Sequence, residues 1–170
     1  MIAVAGEAER ARNTERAVLA SGAAMSYLTL QVGPQIFGIR VACVRRILEP
    51  LPVAVLPRAP HGIEGLIDLD GESITLVDLA GPLGLMSEAD AESRRMVVLE
   101  LGSERRPVTV LADRVLDVVE ISESAIEPPP SAAADAELVT GITRIGDGVV
   151  ILIDIERAFS DMSADPFDFS

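Results

Sequence analysis

Lysine is missing from this chain: all 14 basic residues among its 170 are arginine. That removes the P-loop lysine, the protein-kinase lysine and every Schiff-base mechanism in one step. Cysteine and histidine occur once each, as Cys43 and His61. An internal disulfide is impossible, and a Cys/His zinc site, which needs about four ligands, cannot be assembled. No apolar run approaches the ~20 residues of a membrane span, so no direct membrane insertion is expected. The opening stretch MIAVAGEAERARNTER carries charges where a signal peptide needs its apolar segment, which points to the cytoplasm. Positive charge is scarce overall, and the net charge is −13. Nucleic acid and anionic membrane surfaces would repel such a chain. Basic or apolar patches on partner proteins would suit it.

What is present is apolar and regularly punctuated. The chain is 49% apolar, enough to bury a core. Its length fits one domain, or two small lobes sharing a core. Residues 1–24 show no sustained apolar periodicity and read as a mobile N-terminal tail. "YLTLQVG" then alternates Leu28, Leu30 and Val32 with Tyr27, Thr29 and Gln31, the period of a half-buried strand. Gly33-Pro34 signals a turn, and "IFGIRV" completes a hairpin. In "ACVRRILE", Val44, Ile47 and Leu48 fall at i, i+3, i+4, which predicts a short helix stopped by Pro50 and Pro52. The polar segment "SEADAESRR" marks a boundary between two halves. The second half repeats the pattern of strands, with a Pro/Ala-rich loop, "AIEPPPSAAADAE", and a final amphipathic turn, "ERAFS". Residues 161–170 form an acidic tail containing Phe167 and Phe169.

A weak internal repeat connects the halves. Gly65 to Asp78 spans the same distance as Gly141 to Asp154. Leu69 answers Ile145, Ile74 answers Val150, Leu76 answers Leu152, and Leu79 answers Ile155. Upstream, Val44 and Ile47 answer Val115 and Val118. Two small β lobes of similar plan are expected, about 25–86 and about 94–155. Short strands with regular turn signals indicate barrels or sandwiches.

The decapeptide "GLIDLDGESI", Gly65 to Ile74, admits two readings. Asp68-Leu69-Asp70-Gly71 matches the DxDG motif of magnesium-dependent phosphatases of the haloacid-dehalogenase type. That chemistry needs a parallel α/β sheet, a downstream cation for the phosphate and a later acidic pair for magnesium. Few helices are predicted here, and Glu72 adds a carboxylate that would repel a phosphoryl group. The second reading is two short strands joined at a glycine turn. Ser73, His61 and Asp70 lie close in sequence, yet no G-x-S-x-G turn frames the serine. His61 in "APHG" reads as a surface-loop residue and Cys43 as a small, partly buried filler. Asp68, Asp70, Glu72 and Asp78 alternate along strands instead of clustering in a calcium loop. No cofactor, metal site or catalytic residue is expected.

The blocks "YLTLQVGPQIFGIRVACVRRIL", "LPRAPHGIEGLIDLDGESITLVDL", "VTVLADRVLDVVEIS" and "TGITRIGDGVVILIDIERAF" together resemble the CheW-like coupling proteins of bacterial chemotaxis. The resemblance covers roughly residues 26–160, and its specificity lies in the order and spacing of the blocks. It implies an all-β, non-enzymatic domain over 25–160: two five-stranded β-barrel lobes sharing an apolar interface, with a short helix in lobe one and a short C-terminal helix. It also implies a scaffold that couples chemoreceptor cytoplasmic tips to the regulatory domain of a CheA-type histidine kinase, recruited to membrane receptor arrays. Val44, Ile47, Leu69 and Ile74 become candidates for an apolar receptor groove, although a plain barrel core needs the same residues. Gly65 and Gly71 would set a close backbone approach and a turn.

The chain departs from the family pattern at two places. Asp70 stands where the family writes the arginine of N-L-R-G, and Arg46 stands where it writes the glutamate of V-x-E-I. The paired change predicts that Arg46 and Asp70 face each other in an ion pair of reversed polarity. A partner tuned to the usual polarity would then meet like charge. An adaptor of a divergent, non-motility signalling system is the alternative within the family.

Overall fold

The computed structural model describes residues 24–59, 62–81, 83–130 and 138–160. The expectations for residues 1–23, His61, most of the Pro/Ala-rich loop and the tail 161–170 lie outside the described residues. Ten strands account for most of the rest: β1 (Ala24–Val32), β2 (Gln35–Arg40), β3 (Val44–Leu48), β4 (Ile63–Leu69), β5 (Glu72–Asp78), β6 (Arg95–Leu101), β7 (Arg106–Ala112), β8 (Arg114–Ser122), β9 (Val139–Ile145) and β10 (Gly148–Ile153). Single 3-10 turns occupy Val41–Cys43 and Glu123–Ala125, and a short helix α1 (Ile155–Ser160) follows β10.

The strands form two five-stranded sheets, ordered β8-β1-β2-β10-β9 (sheet one) and β3-β6-β7-β5-β4 (sheet two). Position by position the wiring is the same. A central antiparallel hairpin (β1-β2 or β6-β7) takes an antiparallel strand on one side and a parallel strand from a second hairpin on the other. The sequence repeat is therefore real, but the lobe boundaries at 86 and 94 need correction. Each half of the chain gives its first hairpin to one sheet and its next three strands to the other. Sheet one is β1-β2 plus β8, β9 and β10; sheet two is β3, β4 and β5 plus β6-β7. Apolar periodicity located the strands and could not say which of them exchange between sheets.

The predicted helix at Val44–Leu48 is also corrected, because these residues form strand β3. A register shift lies between Val44 and Arg46: Val44 pairs with Leu99, Arg46 with Val98 and Ile47 with Val97. Such a bulge inserts one residue, so Val44 and Ile47 both point inward three positions apart. That spacing imitates helical periodicity. The repeat-related strand β8 carries the same device, with Val115 opposite Leu30 and Val118 opposite Leu28.

Burial divides into three clusters. The largest gathers Leu28, Leu30, Phe37 and Ile39 of sheet one with Val44, Ile47, Val97, Leu99 and Val110 of sheet two, forming an apolar seam shared by both. A second cluster lies within sheet two and draws on β4, β5, β6 and β7, with Leu48 of β3 packed against it. A third, around Tyr27, Ile121, Val150 and Leu152, lies within sheet one. Strand β1 thus serves two cores. Leu28, Leu30 and Val32 enter the seam and Tyr27 the interior of sheet one, so the strand is buried on both faces instead of one.

Candidate interaction surface

The decapeptide Gly65–Ile74 is a hairpin. Leu69 pairs with Glu72 across the two-residue turn Asp70-Gly71. Both turn residues have positive φ, +53° and +86°. This is the primed geometry whose twist matches flanking strands, and it favours Asp-Gly. Asp68 Oδ1 accepts the Gly71 N–H at 2.9 Å and closes the turn.

Arg46 reaches this turn from β3. Its Nη1 donates to Asp70 Oδ2 at 2.9 Å, so the structure brings together the two residues expected to face each other in an ion pair. Strands β3 and β4 lie at opposite ends of the sheet order, so a contact from β3 to the β4-β5 turn requires the sheet to curl. Arg45 sits within the same bulge. Its guanidinium lies 3.7 Å from Glu72 and 3.6 Å from Glu100, and Glu100 lies 3.6 Å from Arg105. The two acidic side chains that a DxDG phosphatase would use are engaged here with a turn amide and an arginine.

The side chains of Arg46 and Asp70 are 41% and 82% exposed. Such a pair contributes only ~0–1 kcal/mol to stability. What it supplies is alignment, by tethering β3 to the hairpin tip and presenting an ordered charge pair at the surface.

The four groove candidates do not lie at a surface. Val44 (0% exposed) and Ile47 belong to the seam, and Leu69 and Ile74 (1% exposed) belong to the interior of sheet two. In this structure these residues serve as core, the role a plain barrel also requires of them. Amphipathic spacing marks the buried side of a strand, and it marked these. Gly65 (φ +156°) provides the close approach, since a Cβ there would overlap the Ala54 carbonyl oxygen. That carbonyl accepts the Leu66 N–H at 2.9 Å, and the Ala54 N–H donates to Leu66 at 2.8 Å. The exposed apolar residues Val53 and Val55 flank Ala54, and Glu64 and Asp68 are exposed on β4 itself. This acidic and apolar edge escaped sequence reasoning because Val53 and Val55 lie in a proline-rich stretch without periodicity.

A second polar cluster was also missed. Asp113, 2% exposed, sits where the chain passes from β7 to β8. Its Oδ2 accepts the Gly33 N–H at 2.8 Å and the Glu88 N–H at 3.0 Å, and its Oδ1 accepts the Ser87 hydroxyl. Arg94 approaches it to 3.8 Å and Asp78 to 2.9 Å. Burial alone would raise the Asp113 carboxyl above the ordinary aspartate value. The hydrogen bonds from Ser87, Glu88 and Gly33 and the charge of Arg94 outweigh it and hold the group below that value. A lone aspartate inside the apolar run "VTVLADRVL" was the available signal.

Comparison with known proteins agrees with this architecture. Residues 26–163 match the model of the CheW-like domain. The chain is 29% identical over 140 residues to a probable chemotaxis protein CheW of Rhizobium etli, covering 81% of this chain and 89% of that protein. It is 27% identical over 139 residues to the chemotaxis protein CheW of Treponema pallidum, covering 78% and 81% of the two chains. The crystal structure of the scaffolding protein TtCheW from Thermoanaerobacter tengcongensis superposes with a TM-score of 0.73 at 25% identity, over 80% of this chain and 88% of that one.

Proposed function

The chain belongs to the CheW-like family, and from that premise we propose that it is a non-catalytic scaffold coupling chemoreceptors to a CheA-type histidine kinase. The family match over residues 26–163, on two sheets of one plan, is the observation that carries this reading. A scaffold needs two faces held at fixed geometry, and the shared seam supplies that rigidity. The chemoreceptor cytoplasmic tip and the regulatory domain of the kinase are the partners in this reading. The chain works in the cytoplasm and is recruited to receptor arrays at the membrane. Among the described residues no helix is long and apolar enough to cross a bilayer.

Reconstitution tests the coupling. Kinase should sediment with a receptor cytoplasmic fragment only when the full chain is present. A chain that binds neither component overturns the reading.

The polarity of the Arg46–Asp70 pair favours a refinement, in which the chain serves a receptor–kinase set matched to an arginine on β3 and an aspartate at the turn. Such discrimination arises when a wrong partner meets like charge. Exchanging the pair, as Arg46→Glu with Asp70→Arg, should shift preference toward partners of scaffolds with the usual polarity. Equal affinity of the native chain for both partner sets would refute the refinement.

A further inference from the structure

The segment between β5 and β6 is tied down more firmly than a linker requires. Leu83 and Leu85 pack against the seam, and the Leu85 N–H donates to the Ala80 carbonyl at 2.8 Å. A Cβ on Gly33 would overlap the Met86 carbonyl oxygen, so the segment lies directly against the β1-β2 turn. Asp113 gathers the contacts. Its carboxylate holds Ser87 and Glu88 of the segment and Gly33 of sheet one, and its own N–H donates to the Gln31 carbonyl of β1 at 2.8 Å. Arg94, the last residue before β6, lies between Asp113 and Asp78 at the end of β5. One buried carboxylate therefore touches the β1-β2 turn of sheet one, the segment and, through Arg94, the end of β5 in sheet two.

The repeat provides an internal control. The other passage between sheets, from β2 to β3, is the 3-10 turn Val41–Cys43. The residue there equivalent to Asp113 is Ala42, which is exposed. The hairpin turn equivalent to Gly33 is Gly102, whose N–H donates to Glu156 on the surface at 3.0 Å. The wiring alone does not demand a buried acid, since its counterpart does without one.

The structure assigns to Asp113 the role of a positioning residue: it locks residues 83–94 as a strap across the end of the seam and so sets the orientation of the two sheets. Only the consequence for partner spacing rests on the scaffold reading. The lock itself is a property of the free chain.

Spin labels report the orientation. In a Cys43→Ala background of the full chain, labels at Glu64→Cys on β4 and Asp147→Cys at the β9-β10 turn span the two sheets. The native chain should give one narrow distance distribution. Asp113→Asn, which keeps the size and loses the charge, should widen it at least twofold. Cleavage of the strap by a glutamate-specific protease, after Glu88 or Glu92, should rise at least tenfold. Ser87→Ala removes one contact and should give a smaller change of the same kind, and Glu156→Ala should leave the distance unchanged. Faster cleavage without widening would reduce the strap to an ordinary loop and overturn the inference. So would no change in either readout, or unfolding of Asp113→Asn together with a silent Ser87→Ala. No partner enters the experiment, so its failure leaves the scaffold reading standing, and failed reconstitution leaves the lock standing.

Discussion

Sheet one seats Tyr27 where sheet two seats Met96, and Gly38 where sheet two seats Thr109. A Cβ at Gly38 would overlap a Leu152 methyl and crowd Val150, so the missing side chain is what admits Leu152. In sheet two Met96 and Thr109 occupy these positions, and Thr109 is fully buried with a hydroxyl that has no partner among the described residues. Two interiors with one wiring have been filled by different residues, as core substitution tolerates when total volume is kept. The positions at the shared seam stayed apolar in both sheets: Leu28 and Val97, Leu30 and Leu99, Val44 and Val115. Each seam residue answers to two sheets at once, which leaves less freedom to repack.

The sharpest break in the equivalence is at the two ends of the seam. Asp113 and Glu156 each cap the N–H of a hairpin glycine, but only Asp113 is buried beside an arginine. Asp113→Ala should destabilise the fold by roughly 3–5 kcal/mol, the range for breaking a buried charged network. Glu156→Ala removes an exposed hydrogen bond and should cost roughly 0.5–1.5 kcal/mol at most. Denaturant titration of both variants decides this, and equal costs would erase the distinction. The Asp113 carboxyl is held below its unfolded value. Its contribution is therefore complete above about pH 4 and is lost as pH falls through the lower folded value. Acid titration of the native chain should show a steeper loss below about pH 4 than that of Asp113→Asn.

The bridging glycines offer a finer comparison. Gly65 and Gly141 are repeat-related, and each lets a flanking segment bridge the next residue of its strand, Ala54 to Leu66 and Glu127 to Ile142. At Gly65 an added Cβ meets a backbone carbonyl that itself accepts a hydrogen bond, and φ is +156°. At Gly141 the first obstacle is a methyl of Ile126, with the Glu127 carbonyl oxygen next at 3.2 Å. Overpacking costs ~1–3 kcal/mol. Gly65→Ala should fall at the upper end of that range and Gly141→Ala at the lower, measured by thermal unfolding. The reverse order would show that the segment at 53–55 yields more easily than Ile126.

Much of this was legible in the chain, for definite reasons. Turn glycines and alternation placed the strands, and the shared span from glycine to aspartate exposed the repeat. Asp-Gly between alternating runs specified the β4-β5 hairpin. What failed was anything dependent on three dimensions. The bulge in β3 disguised a strand as a helix, because it shifts the inward residues from a period of two to a spacing of three. Exchange of strands between sheets leaves no mark on periodicity. Apolar residues chosen for a groove proved buried, since the pattern that identifies an inward face cannot separate a core from a cleft. Asp113 and Arg94 carry a lock whose partners lie up to 80 residues away.

The smallest expected effect on stability belongs to the surface pair Arg46 and Asp70. Arg46 and Asp70 lie in the open, beside a network of Arg45 on the same strand, Glu72 on β5, Glu100 on β6 and Arg105 in the β6-β7 turn. A double-mutant cycle of Arg46→Ala and Asp70→Ala should return a coupling of ~0–1 kcal/mol, weakening as salt is raised. Sheet one has Asp117 and Gly146 at the corresponding positions and so no such pair. It aligns its bulge differently: the Thr29 hydroxyl accepts the Asp117 N–H at 3.0 Å and donates to the Asp117 carbonyl at 2.9 Å. That bond is internal and buried with Thr29, whereas the one in sheet two faces solvent. If alignment were the whole role of the surface pair, Arg46→Ala should be about as harmless to partner capture as to folding. If the pair is read by a partner, the single variants should lose capture by tenfold or more at unchanged stability, and the charge-exchanged double variant should recover part of it only against partners of matching polarity.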